Sequence, residues 1–296
     1  MKNPKLIAAF VIGLLAAVGC KSEYELLLEG NDVDAKYAAA FEYFNQGKYQ
    51  RASQLFESLS ALTNGTDRGD TVQYYWGLSN YRYRDYYTAE TNFTNFIATY
   101  PLSPFAPDAG FFRIDCLYRQ TLRYELDQKP TRNALSAIAR YLVENPDSPY
   151  RPLCENMTTE LNGRLDRKAY ENARLYYKME DYQAASVALR NVLKDNSENI
   201  YREDILYYIA MSSYKYASMS VQNKQKERYL IFVDDYLNFV GEFESSVYRR
   251  ELDVLYRRAQ RALGRAGVSE EEDPGKEEKD FEKERKLLLQ EGQDKK

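Results

Sequence analysis

Histidine is absent from this 296-residue chain. That removes the commonest general base, the usual nucleophile–base triads and most zinc sites. Cysteine is scarce: three residues, with no Cys-x-x-Cys redox motif. There is no Gly-rich phosphate loop. The nearest stretch, Gly65-Thr66-Asp67-Arg68-Gly69, lacks both the spacing and the Lys of a P-loop. A basic surplus is missing too: 41 Lys and Arg stand against 45 Asp and Glu, which disfavours nucleic acid as a partner. Acidic pairs such as Asp234-Asp235 diverge by about 100° on a helix and read as a solvated face, not as paired acid and base. The chain is expected to be no enzyme and to need no cofactor or metal.

What the chain has in quantity is tyrosine, 28 residues of it, and repetition. Five times an aromatic residue or Thr is followed by a small or apolar residue three on, and by apolar residues at +7 and +10. The instances are Tyr49/Ala52/Phe56/Leu59, Tyr86/Ala89/Phe93/Phe96, Thr131/Ala134/Ile138/Tyr141, Tyr182/Ala185/Leu189/Val192 and Tyr229/Phe232/Tyr236/Phe239. This is one helix face rewritten every 37 to 51 residues. Small residues recur twelve positions earlier at Ala40 and Gly77, and Pro101 and Pro146 stand twelve positions after Ala89 and Ala134. Small residues at both places let two antiparallel helices approach closely, and large apolar residues fill in beside them. The layout resembles that of the tetratricopeptide repeat. The two halves also match at a shift of 133 residues through Tyr37/Tyr170, Ala40/Ala173, Tyr43/Tyr176, Tyr49/Tyr182, Gln50/Gln183, Ala52/Ala185 and Ser53/Ser186. The expected fold is all-α, a solenoid of about five helix pairs with a capping helix after Tyr248.

The N-terminus reads as a targeting segment. Lys2 and Lys5 precede an apolar run from Leu6 to Val18, which ends in Ala17-Val18-Gly19-Cys20. The run is short for a membrane span. Cys directly after Gly resembles a bacterial lipobox, although Ala17 stands where Leu is usual. Cleavage before Cys20 would leave its thiol to carry lipid, and a multiply acylated Cys anchors a protein firmly to a membrane. Residues 1–19 are thus expected to be a lipoprotein signal peptide and residues 20–34 a lipidated tether. Repeats one to three are expected over 35–147, and the linking helix, repeats four and five and the cap over 148–267. A charged, disordered tail is expected over 268–296. From Glu270 the tail carries eleven acidic and seven basic residues, the whole net charge of −4.

Two loops rhyme: Tyr100-Pro101-Leu102-Ser103-Pro104-Phe105 and Asn145-Pro146-Asp147-Ser148-Pro149-Tyr150, with weaker echoes at Asn199-Ile200-Tyr201 and Ser246-Val247-Tyr248. Ser103 and Ser148, each followed by Pro, read as helix N-caps. No strong stop follows Ser148 until Glu180-Asp181, which predicts one helix of about 30 residues. Cys116 and Cys154 suit buried apolar sites; a disulfide between them stays open. In the segment from Tyr74 to Tyr87, Tyr74, Leu78 and Tyr81 share one face and Trp76, Tyr83 and Tyr87 another. The groove-lining candidates are Tyr75, Trp76, Tyr83 and Tyr87, because exposed aromatic patches mark interaction sites.

A lipobox followed by five such repeats and a cap resembles the BamD family of lipoproteins in the β-barrel assembly machinery of the Gram-negative outer membrane. The most specific residues are the order of elements, the loop at Tyr100 to Ser103, the stretch Lys168-Ala169-Tyr170-Glu171-Asn172-Ala173-Arg174-Leu175-Tyr176-Tyr177, and Lys224-Gln225-Lys226-Glu227-Arg228-Tyr229. The tyrosine content and long tail point to a Bacteroidota-type member. The resemblance implies a protein held by Cys20 on the periplasmic face of the outer membrane. Its C-terminal repeats would bind BamA, the barrel insertase, alongside other machinery subunits. Its N-terminal repeats would receive unfolded outer-membrane β-barrel proteins by their aromatic C-terminal signal. In the fourth repeat the exposed basic candidates for a partner interface are Arg190 and Lys194. A generic periplasmic repeat lipoprotein that scaffolds envelope enzymes or peptidoglycan-linked partners also fits the repeats. A glycan-binding lipoprotein of the SusD type is disfavoured by its much greater length.

Overall fold

Twelve helices and no strand make up residues 22–264, the part of the chain that the computed structural model describes. The expected signal peptide, Cys20 and the charged tail lie outside the described residues. In chain order the helices are α1 (Glu23–Glu29), α2 (Val33–Asn45), α3 (Tyr49–Thr63), α4 (Gly69–Tyr83), α5 (Tyr86–Thr99) and α6 (Ala106–Arg119), then α7 (Lys129–Glu144), α8 (Arg151–Lys178), α9 (Tyr182–Asp195), α10 (Arg202–Ser218), α11 (Gln222–Glu242) and α12 (Arg249–Ala262).

The hairpins are punctuated as their local chemistry dictates. Asp32, Asp85 and Asp181 accept the backbone N–H of Ala35, Thr88 and Ala184 at 3.0, 3.1 and 3.0 Å, satisfying donors that a helix start leaves orphaned. Three hairpin turns pass through a left-handed residue two positions before a Tyr: Gly47 before Tyr49, Arg84 before Tyr86 and Glu180 before Tyr182. Only Gly adopts that conformation without steric cost.

The recurring helix face is the core. Ala52, Phe56, Leu59, Ala89, Phe93, Phe96, Thr131, Ala134, Ala185, Leu189, Phe232 and Phe239 have no accessible surface, and Ile138, Tyr141, Tyr229 and Tyr236 are buried. The small residues do what close helix approach requires. A Cβ added at Gly77 would stand 2.9 Å from Phe93 Cε1, and one at Gly110 would stand 2.9 Å from Tyr141 Cε2. Packing divides the chain into two units. One runs to Leu122 and includes Asp127–Thr158; the other holds Arg123–Leu126 and the chain from Thr159 onward. In the first, one cluster forms around Ala40, Leu55, Phe56 and Val72 and another around Tyr74, Phe93 and Phe96. In the second, one cluster takes in Tyr170, Leu189, Tyr207, Phe232, Phe239 and Leu252.

Two expectations are corrected. The segment read as a tether is helical over Glu23–Glu29. Ser22 and Glu25 form a reciprocal capping box, a signal present in the sequence as Ser-x-x-Glu. Leu27 and Leu28 add apolar surface that packs against the first cluster. Ser103 and Ser148 are not N-caps: α6 and α8 begin three residues later, with Pro107 inside the first turn of α6. Each hydroxyl instead accepts the N–H two residues on, that of Phe105 at 3.3 Å and of Tyr150 at 3.2 Å, closing a turn before the helix.

Candidate functional site

Successive repeats are joined by one local device, used five times. A helix presents Asp and, three or four residues on, a ring. The loop entering the next repeat's first helix supplies Ser, Thr or Asn and, two residues on, a side chain that lies on that ring. Phe105 lies on Tyr74 at 4.5 Å between centroids, Tyr150 on Phe111 at 3.9 Å, Tyr201 on Tyr170 at 5.0 Å and Tyr248 on Tyr207 at 4.1 Å, all with planes within 17° of parallel. In the first junction Arg68 replaces the ring, its guanidinium 4.9 Å from the Tyr37 centroid. The Asp closes each joint. Asp34 pairs with Arg68 at 2.6 Å, Asp70 accepts Ser103 Oγ at 2.8 Å, and Asp108 accepts Tyr150 Oη at 3.1 Å. Asp166 accepts the N–H of Ile200 at 3.2 Å and Asn196 Nδ2 at 2.9 Å, and Asp204 accepts Tyr248 Oη at 2.7 Å. Seven of the chain's 28 tyrosines are therefore spent on holding repeats together. The loop rhyme in the sequence shows half of each joint; the receiving Asp and ring, 30 to 44 residues away in the stacked pairs and these bonds, are visible only in the fold.

The four groove candidates separate into two kinds. Tyr75 is a packing residue: its ring meets those of Phe41 (4.7 Å), Phe44 (5.2 Å), Tyr74 (5.5 Å), Phe56 (5.9 Å) and Phe105 (6.4 Å). It packs against both clusters because α4 lies between them and needs rings on two faces at once. Trp76 is half-buried against the first cluster. Tyr83 and Tyr87, by contrast, are 50% and 77% exposed, one at the last residue of α4 and the other at the second of α5. Close by, Tyr81 donates to the buried Asp115 at 2.6 Å, and Asp115 also holds Arg119 at 2.5 Å. Burial, helped by Asp115, pushes the Tyr81 hydroxyl up from 10.0 to about 12.

The two basic candidates also part company. Arg190 is committed within the chain: its guanidinium bonds Asp235 at 2.5 Å, and Asp235 accepts Ser213 Oγ at 2.5 Å as well. Asp235 is only 7% exposed, so its reading as part of a solvated acidic face is corrected. Helix α11 turns Asp234 outward and Asp235 inward, as their angular separation requires. Lys194 is exposed, in the last turn of α9. Cys116 and Cys154 are buried free thiols. Burial, reinforced by Asp115, raises the Cys116 thiol from 9.0 to about 12, so it is inert. Among the described residues no group of His, Cys, Asp or Glu could hold a metal ion, and no helix is long and apolar enough to cross a membrane.

The family model described as an outer membrane lipoprotein, YfiO, matches residues 30–230. The chain is similar to the outer membrane protein assembly factor BamD of Caulobacter vibrioides, at 21% identity over 208 residues that cover 69% of this chain and 68% of that protein. It is also similar to a tetratricopeptide repeat protein from Parabacteroides merdae, with a TM-score of 0.32 and 11% identity over 80% of this chain and 75% of that one, a likeness too distant to carry weight. The matched region takes in the recurring hairpins from α2 to the start of α11, and on that ground the chain is BamD-like and belongs to the YfiO family of outer membrane lipoproteins.

Proposed function

We propose that this protein is a non-enzymatic assembly factor for outer-membrane β-barrel proteins, anchored by lipid on Cys20 to the periplasmic face of the outer membrane. The family match over residues 30–230 carries this reading. The charged N-terminal start, the apolar run and Gly19-Cys20 support the anchor. In this reading the repeats bind the barrel insertase, BamA, and receive unfolded barrel proteins. Tyr83 and Tyr87 are the aromatic surface offered to a substrate's aromatic C-terminus, since half-exposed rings supply apolar area with a polar tip. Lys194 is the basic residue left for a partner, with Arg190 engaged internally. The chemistry is adhesion and positioning: the side chains are held in joints, and the buried carboxylates already have partners.

Co-purification tests the partner. A tagged copy solubilised in mild detergent should retain the insertase. Recovery of the lipoprotein alone, from membranes in which the insertase is abundant, would contradict the reading.

A further inference from the structure

Three peptide links separate Cys20 from Glu23, the first residue of α1. An extended chain spans at most about 3.6 Å per residue, so the two α-carbons stay within about 11 Å whatever path the chain takes. Helix α1 is in turn fastened to the first repeat. Tyr24 donates to Gln54 Oε1 at 2.5 Å and to the Arg51 carbonyl at 3.2 Å. Lys36, only 3% exposed, donates to the Leu28 carbonyl at 2.9 Å and to Ser58 Oγ at 2.6 Å. A lipid on Cys20 would therefore end on a helix with almost no slack.

The residues around the start of α1 suit a headgroup layer. Tyr24 meets Tyr43 edge to face at 5.5 Å. Arg51 lies over both rings, at 5.1 and 5.6 Å, and Lys48 lies 5.5 Å from that of Tyr43. Lys48 and Arg51 are exposed, and Tyr24 and Tyr43 are half-buried. Amphipathic rings favour the membrane interface, and Lys and Arg near a bilayer are drawn to anionic lipid. Of the acidic groups at this end, Glu25 is tied back by the capping box, Glu42 accepts Gln46 Nε2 at 2.9 Å, and Glu23 is exposed in the first turn of α1.

We propose that the α2–α3 turn, with Tyr24, Tyr43, Lys48 and Arg51, rests on the phospholipid surface that holds the Cys20 anchor, so that the first repeat is fixed at the bilayer and does not swing on a leash. This rests on the reading of Cys20 as the lipidated residue. The α3–α4 loop, at the far end of α3, then stands up to about 20 Å further out.

The test uses full-length lipidated protein in vesicles of phosphatidylethanolamine and phosphatidylglycerol that contain a quencher lipid. A fluorophore is placed at Gln46→Cys, in the turn, or at Asp67→Cys, in the far loop; the buried Cys116 and Cys154 do not compete for it. Quenching is expected to be several-fold stronger at 46 than at 67. A Gly/Ser insertion of about twenty residues between Lys21 and Ser22 should reduce that difference while the protein still floats with the vesicles. Equal quenching at the two sites in vesicle-bound protein overturns the proposal and leaves the anchor standing. Protein that does not float with vesicles contradicts the anchor and the proposal together.

Discussion

The ring of Tyr248 lies face to face on that of Tyr207, 4.1 Å between centroids, while its hydroxyl reaches Asp204 at 2.7 Å. One side chain at the mouth of α12 thus joins the cap to α10 through both an apolar face and a polar tip. Tyr207 answers with its own hydroxyl on Glu251 at 2.7 Å. Removing the ring should cost more than removing the hydroxyl. Tyr248→Ala is expected to lower stability by about 2–3 kcal/mol and Tyr248→Phe by about 1 kcal/mol. Hydrogen exchange should show the loss in α12 first. Equal losses in the two variants would mean that the hydrogen bond, not the stack, carries the joint.

Gly77 decides between two opposing effects. Gly→Ala in a helix ordinarily gains about 1 kcal/mol. At Gly77 the new methyl would lie 2.9 Å from the Phe93 ring, and overpacking costs about 1–3 kcal/mol. Gly77→Ala should therefore lower the melting temperature. Gly241→Ala, on the exposed face of α11 with nothing within 4 Å, should raise it slightly. Ala52→Asp and Ala89→Asp place an unpartnered carboxylate where no surface is accessible, at a cost of several kcal/mol. Calorimetry of the four variants checks the order.

Arg190 and Lys194 should separate stability from binding. Arg190→Ala leaves Asp235 buried with Ser213 as its remaining hydrogen-bond donor, so the variant should melt lower. Because half of the arginine is exposed, the loss should be modest, about 1–2 kcal/mol. Lys194→Ala should leave melting unchanged and weaken retention of the insertase. A stable Arg190→Ala variant would show that the ion pair is incidental.

The pH dependence follows from the absence of histidine and the burial of acids that prefer to stay neutral. Between pH 6 and 8 no side chain with an ordinary pKa in that range exists to titrate, so stability should be flat. Cys116 and Tyr81 are both raised in the fold, to about 12. Tyr74, Tyr170 and Tyr236 are raised further in the same direction, chiefly by burial. The unfolded chain therefore releases these protons first. The stability they contribute is complete below pH 9 and falls between about 9 and 12. Denaturant titrations from pH 6 to 11 should show a plateau and then a steep decline. A decline that begins near neutrality would contradict this assignment.

The sequence shows most plainly whatever repeats at helical period. Ala52, Ala89, Ala134 and Ala185 are all fully buried because a three-four spacing leaves one face no alternative. The long helix was equally legible, since nothing between Ser148 and Glu180 stops one. What escaped the pattern was what depends on distant partners. Arg190 looks free until Asp235, 45 residues on, is folded against it. Tyr75 looks available because α4 is apolar on more than one face, and periodicity cannot say which ring is inside. The helix at Glu23–Glu29 is too short for a periodic signal; its capping box is the clue, and Lys36 and Gln54 hold it from outside.

Depletion in living cells tests the central claim most directly. As the protein is withdrawn, folded, heat-modifiable β-barrel proteins in the outer membrane should fall in parallel, while other lipoproteins stay constant. Barrel content that remains unchanged after complete depletion would contradict the account.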